Sequence, residues 1–172
     1  MTKAQGSLKK ALIELLIKEN LTQISVKKLC QQAQIGRSTF YTYYNNIDEV
    51  LEEIENNLVE QLSTKDKKIT DSHRNKPADF AYFTDVVDFV SEHKNEILVL
   101  TKYNPNARFI EKWKNAIKDN LRRRGLPQKE LIYEMVASEV IAAFDYYLLN
   151  SEQFSQQQIQ EIVVKALKIL EN

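Results

Sequence analysis

The sequence predicts an all-α protein, and three observations carry that prediction. Apolar residues recur at three- and four-residue intervals along nearly all of the 172-residue chain. Only three glycines and three prolines are present, too few for the tight turns of a strand-rich fold. One segment alone, EILVLTKY at 96–103, is arguable as a strand, and its isolation among helical patterns favours a short helix. The expected architecture is about nine helices, a small N-terminal module followed by a larger helical domain.

Each element follows from its own pattern. Leu8, Ala11, Leu12, Leu15 and Leu16 mark a first helix that stops near Asn20. Ser25 is the expected N-cap of a second, short helix carrying Val26, Leu29, Cys30 and Ala33. Gly36 breaks that pattern and a third helix follows from Arg37 to Tyr44. Its face with Phe40 and Tyr44 differs from the face with Ser38, Tyr41 and Thr42. A fourth helix starts near Ile47 and uses Val50, Leu51, Ile54, Leu58 and Leu62, with Asp48 and Glu49 at its positive end. The polar stretch 63–79 is expected to be a loop or frayed helix end, so the domains divide as 1–62, with the linking helix 47–62, and 63–172. Beyond it, helices are expected around Phe80–Val90 and Asn106–Leu121, then from Glu130 to Leu149 and over about 156–171. Arg122, Arg123 and Arg124 before Gly125 and Pro127 read as a helix stop, with a second nucleic-acid patch as the competing reading.

Composition narrows the class. Apolar residues make up 43% and charged residues 28%, as in globular proteins. The single cysteine, Cys30, excludes an internal disulfide and fits a reducing cytosol, and its place on an apolar face suits a small buried hydrophobe. No run approaches the ~18 apolar residues of a membrane span, and the N-terminus lacks a secretory cleavage pattern, so a cytoplasmic protein without membrane attachment is expected. His73 and His93 have no second ligand at metal spacing, and no nucleophile–base or paired-carboxylate motif is present. No metal, no cofactor and no enzymatic activity are expected.

The zero net charge is unevenly spread. Residues 1–46 hold seven basic and two acidic side chains, whereas 47–62 hold six acidic and no basic ones. That basic quarter is either a footprint for a polyanion or a solvated face with surplus lysine. The third helix adds the sharper signal. Its expected outer face offers Arg37, Ser38, Thr39, Tyr41, Thr42 and Tyr43, without one acid. Arg matches guanine in a major groove, hydroxyls adapt to several bases, and Tyr reaches phosphate. Ser25 with the first amides of its helix suits another phosphate, and Lys27 and Lys28 add diffuse attraction.

Ile24-Ser-Val-Lys-Lys-Leu29, Ala33-Gln-Ile-Gly-Arg-Ser-Thr-Phe-Tyr-Thr-Tyr-Tyr44 and Asp48-Glu-Val-Leu51 resemble the DNA-binding domain of TetR/AcrR-type transcriptional regulators. The resemblance covers about residues 7–62; beyond them only size and helical character match. It implies a helix-turn-helix domain followed by a ligand-binding and dimerisation domain. It also implies a homodimer on a palindromic operator, usually a repressor released by a small ligand. Carried over, Arg37, Ser38, Thr39, Tyr41, Thr42 and Tyr43 fall on the recognition helix, and Ser25 and Lys27 at the amino end of the helix before it. Gln34 stands where the family's turn usually has Gly, and Ile47 where it often has a phosphate-contacting Lys. These departures leave a second reading: a TetR-like protein without operator binding that co-activates or recruits a partner protein.

Two expectations concern the C-terminal half. Val140 to Leu149 is apolar on nearly every side, which asks for a second surface beyond its own domain. With the resemblance, this makes the last two helices a four-helix homodimer interface; a large monomeric core is the alternative. Tyr82, Phe83, Phe89, Tyr103, Phe109, Trp113, Phe144, Tyr146 and Tyr147 form an aromatic set that lines a pocket for a small hydrophobic ligand or simply fills the core.

Overall fold

The computed structural model describes residues 2–72, 80–123 and 130–168, and their side chains except at 65–72, 80–85, 160, 163–164 and 166–168. All regular structure among them is helical. The order is α1 (Lys3–Leu16), α2 (Val26–Ala33), α3 (Arg37–Tyr43), α4 (Ile47–Ser72), α5 (Phe80–Glu92), α6 (Lys94–Leu98), α7 (Ala107–Arg123), α8 (Glu130–Leu149) and α9 (Gln156–Lys168). A short 3-10 turn over Leu21–Gln23 and a π-helical turn over Val99–Tyr103 complete it.

Local chemistry sets the starts. Thr2 and Gln5 form a reciprocal capping box on α1, the Thr2 hydroxyl accepting from the Gln5 amide at 3.3 Å and the Gln5 side chain from the Thr2 amide at 3.0 Å. Asn46 Oδ1 accepts from the Glu49 amide at 3.0 Å and opens α4, whose Asp48 and Glu49 lie at the positive end, as their spacing implied. Asn106 Oδ1 accepts from the Phe109 amide at 3.1 Å and opens α7. The 96–103 segment is helical, and its last turn is wound wider, with the Asn104 amide reaching back to the Val99 carbonyl at 2.8 Å.

Of the two readings for 63–79, a loop or a frayed helix end, the loop is corrected. Helix α4 continues without interruption past Leu62 to Ser72; residues 73–79, His73 among them, lie outside the described residues. The apolar stripe ends before the helix does. Lys, Asp and Ile in that run contain no breaker before Pro77, and Lys is a strong helix former in water. Likewise, the described part of the last helix ends at Lys168.

One buried apolar cluster runs from Leu8, Leu12 and Leu16 of α1 through Leu29, Phe40 and Tyr44, along Val50, Leu51, Ile54, Leu58 and Leu62 of α4, into Val87, Phe89, Phe109, Trp113, Phe144 and Leu148. Helices α1, α2 and α3 pack on one another, and α1 packs on α4; α7 lies along α4, and α8 and α9 pack beyond it. The small N-terminal module is therefore held against the larger half by apolar contact, with α4 shared between them.

Candidate nucleic-acid interface

Helices α2 and α3 stand at the free end of this arrangement. Ser25 Oγ accepts from the Lys28 amide at 3.2 Å, the expected N-cap of α2, while Leu29 and Cys30 anchor its inner face. The turn to α3 departs from expectation. Gln34 ends α2 in the left-handed region (φ 55°, ψ 43°), with its own amide bonded to Gln31 O at 3.2 Å and the Ile35 amide to Cys30 O at 2.9 Å. Gly36 has an ordinary φ of −65°, so the strained position belongs to Gln34 and glycine's freedom is not what relaxes the turn.

Phe40 is fully buried and pins α3 from below, edge-to-face with Tyr41 at 5.2 Å and tilted against Tyr44 at 5.9 Å. The Tyr44 hydroxyl donates to Glu53 Oε2 at 2.5 Å, and Lys9 Nζ donates to Glu53 Oε1 at 2.7 Å, so one carboxylate ties α1, α3 and α4 together. Burial, then the bond to Glu53, pushes the Tyr44 phenol well above its usual range. Burial works to raise the Glu53 carboxyl as well, yet the Lys9 and Tyr44 hydrogen bonds outweigh it and hold that group below the usual range. Hence the acidic run after Tyr44 does not all face solvent: Glu53 turns inward here, and Glu55 is fully buried. Ile47 is half-buried against the core.

Every residue assigned to the recognition surface is exposed: Ser25, Lys27, Arg37, Ser38, Thr39, Tyr41, Thr42 and Tyr43. Tyr41 and Tyr43 are 52% and 38% exposed although large and aromatic, whereas Phe40 and Tyr44 on the other face are 0% and 5%. The Thr42 hydroxyl donates to the Ser38 carbonyl at 3.1 Å, which leaves its lone pairs outermost as acceptors. Lys28 is drawn aside into an ion pair with Glu19 at 2.5 Å, so its share of the diffuse attraction is reduced. The α3 flank from Arg37 to Tyr43 is exposed, acid-free and backed by buried Phe40 and Tyr44.

The aromatic set of the larger half is largely interior. Phe109 and Trp113 lie 5.7 Å apart, Trp113 stacks on Phe144 at 6.2 Å with 17° between planes, Phe89 packs on His93 at 4.3 Å, and the Tyr147 and Ser91 hydroxyls are 3.2 Å apart. Tyr103 is 46% exposed and Tyr146 60%, so neither joins this stack; the side chains of Tyr82 and Phe83 lie outside the described residues. A cleft of about 620 Å³ opens elsewhere, between the end of α1, the start of α4 and the start of α7, lined by Leu16, Leu21, Leu51, Leu100, Asn104 and Arg108 among others. Arg122 donates to Asp119 and Glu130 at 2.7 Å and lies 5.7 Å over the Tyr133 ring, occupied in joining α7 to α8; Arg124 lies outside the described residues. Among the described residues no group of three His, Cys, Asp or Glu is placed to hold a metal. No helix among them is long and apolar enough to cross a membrane.

Sequence reasoning missed the polar joint between the two halves. Glu55 accepts from Asn106 Nδ2 at 2.8 Å, from Arg108 Nε and Nη2 at 2.9 Å and from Lys112 Nζ at 3.1 Å, and Arg108 also reaches Asp48 at 3.2 Å. Those carboxylates hold the Arg108 guanidinium well above its already high range. A signal existed: Glu55 falls in phase with Leu51, Leu58 and Leu62 on the apolar stripe of α4. Asn104 is the other joint, and no periodicity announced it.

Comparisons with known proteins bear on the fold. No family model matches the chain. A curated relative, an uncharacterized HTH-type transcriptional regulator from Bacillus subtilis (strain 168), is 26% identical over 112 residues, which are 63% of this chain and 29% of that protein. The match thus spans a little under a third of the relative's length. Among solved structures, a TetR transcriptional regulator from Streptococcus agalactiae superposes with a TM-score of 0.68 at 17% identity, covering 96% of this chain and 93% of that one. The Thermus thermophilus repressor FadR, solved in complex with lauroyl-CoA, superposes with a TM-score of 0.59 at 16% identity, covering 96% and 92%.

Proposed function

We propose that this chain, which has the fold of TetR-family transcriptional regulators, binds a palindromic operator as a homodimer and represses until a small hydrophobic ligand releases it. The observation that carries the reading is the exposed, acid-free flank of α3 from Arg37 to Tyr43 on a helix fixed by buried Phe40 and Tyr44. Arg37 and Ser38 stand at the end of the recognition helix that enters a groove first, where base edges are read. Tyr41, Tyr43, Lys27 and the Ser25 end of α2 suit phosphates on either side. Cytoplasmic residence follows from the partner.

The second copy is argued from α8. Leu131, Met135, Tyr146 and Leu149 are each at least half exposed, with Ala142 between them, and Ile162 of α9 is 52% exposed. Their spacing along α8 is that of a seam between helices rather than scattered surface residues. The FadR structure, a repressor holding an acyl-CoA, supports a hydrophobic ligand, for which the larger half with Phe89, Phe109, Trp113, Phe144 and Tyr147 is the place.

Titration of labelled upstream DNA at two salt concentrations tests the reading. Specific binding should persist where non-specific binding is lost. Arg37→Ala should weaken it by about 1–3 kcal/mol, the worth of one base contact, with helix content and dimer unchanged. Equal affinity for operator and scrambled DNA would instead support the partner-recruiting reading, for which the apolar Ile47 is the structural argument.

A further inference from the structure

Beyond the surface that touches DNA, one side chain far from it ties the two halves of the molecule together. Asn104 ends the π-helical turn. Its Nδ2 donates to the Leu16 carbonyl at 2.6 Å and the Glu19 carbonyl at 3.2 Å, and its Oδ1 accepts from the Leu21 amide at 3.2 Å. All three partners belong to the C-terminal end of α1 and the turn after it, so one amide group from the larger half caps the helix on which α2, α3 and α4 pack. The middle of the same turn is held by α8. The Thr101 hydroxyl donates to the buried Asp145 carboxylate at 2.6 Å, and Lys102 Nζ pairs with it at 3.2 Å.

We propose that Asn104 is a positioning residue for the recognition helix, carrying the position of α8 to α1 through the π-helical turn. The inference rests on the DNA-binding reading above and deepens it. The turn suits the task because it is wound one residue wider than its neighbours and its second half is linked to both sides, to α8 by Thr101 and Lys102 and to α1 by Asn104 just past its last residue, whereas its apolar residues Val99 and Leu100 stay in the core. A shift of α8 that moves Asp145 pulls on Thr101 and Lys102, and Asn104 then changes its hold on α1. The two protomers' recognition helices need one fixed separation, so a small change in the seating of α1 becomes a change in operator affinity.

The test is operator affinity of the full-length chain as a function of salt, with amide hydrogen exchange on the same variants. Asn104→Ala and Thr101→Val should each weaken binding about tenfold, in the range of ordinary coupling between sites, with an unchanged slope of log affinity against log salt. Lys27→Ala, a phosphate contact, should instead lower that slope by about one. Because Thr101 is buried, affinity is scored per folded dimer, and Lys102→Met, at an exposed position, takes its place if Thr101→Val lowers thermal stability. Wild-type affinity in Asn104→Ala, or in the upstream variant, overturns the proposal, and so does a changed salt slope in either. Should the wild-type chain bind no operator, the function proposed above fails and exchange decides this one separately. Faster exchange at Leu21 in the upstream variant, which leaves Asn104 itself intact, supports the linkage; unchanged exchange there removes it.

Discussion

Gln34 holds a left-handed backbone that glycine adopts without cost, and its side chain makes no hydrogen bond among the described residues in compensation. Gln34→Gly should therefore stabilise the fold by about 1 kcal/mol, read as a higher denaturant midpoint at unchanged slope. Tyr44 and Glu53 make the second residue-scale case. The Glu53 carboxyl titrates lower folded than unfolded, so its contribution is complete above the ordinary carboxylate range and lost as pH falls through its lower folded value. Tyr44→Phe removes one of the two bonds that lower it, and acid unfolding of that variant should begin at higher pH than in the wild type. Much at this scale was legible. Phe40 and Tyr44 share a helical face opposite Tyr41 and Tyr43, and burial divides them along that line. Glu53 was not legible as an inward group, because its partners Lys9 and Tyr44 lie 44 and 9 residues away and meet it only after folding.

Among elements, α4 departs most from its sequence pattern. Its apolar stripe stops at Leu62 while the helix continues to Ser72, since propensity sustains a helix that packing no longer requires. Within the stripe, Glu55 is surrounded by Asn106, Arg108 and Lys112 of the α7 region. Glu55→Ala should cost about 3 kcal/mol, the lower end for breaking a buried pair, because Arg108 and Lys112 keep some water. Thermal unfolding would register it, and Glu55→Gln, which keeps two acceptor sites, should recover part of the loss. The π-helical turn is the opposite case. It lies in the eight-residue segment 96–103, whose short apolar run fitted strand or helix, and the Asn104 amide reaching Val99 O shows how it is wound.

For the whole molecule, the untiled side of α8 is the feature that asks for a second chain. Tyr146→Glu with Met135→Glu puts charge on that face without touching the core, so light scattering should give monomers of 20.1 kDa with wild-type helix content. Operator affinity should fall with it, since each monomer then presents α3 alone. A retained dimer would place the interface elsewhere.

On the DNA-binding reading proposed above, the brevity of α3 would limit what one protomer recognises. Seven helical residues extend about 10 Å, the length of roughly three base-pair steps. Three steps recur by chance about once in 64 positions, and two such readings together about once in 4,000, while a genome offers roughly a million or more competing sites. Base contacts by α3 alone therefore cannot single out a promoter, even twice over. The remaining information has to come from the duplex itself, through the bend and groove width that Tyr41, Tyr43 and Lys27 would sense at the phosphates.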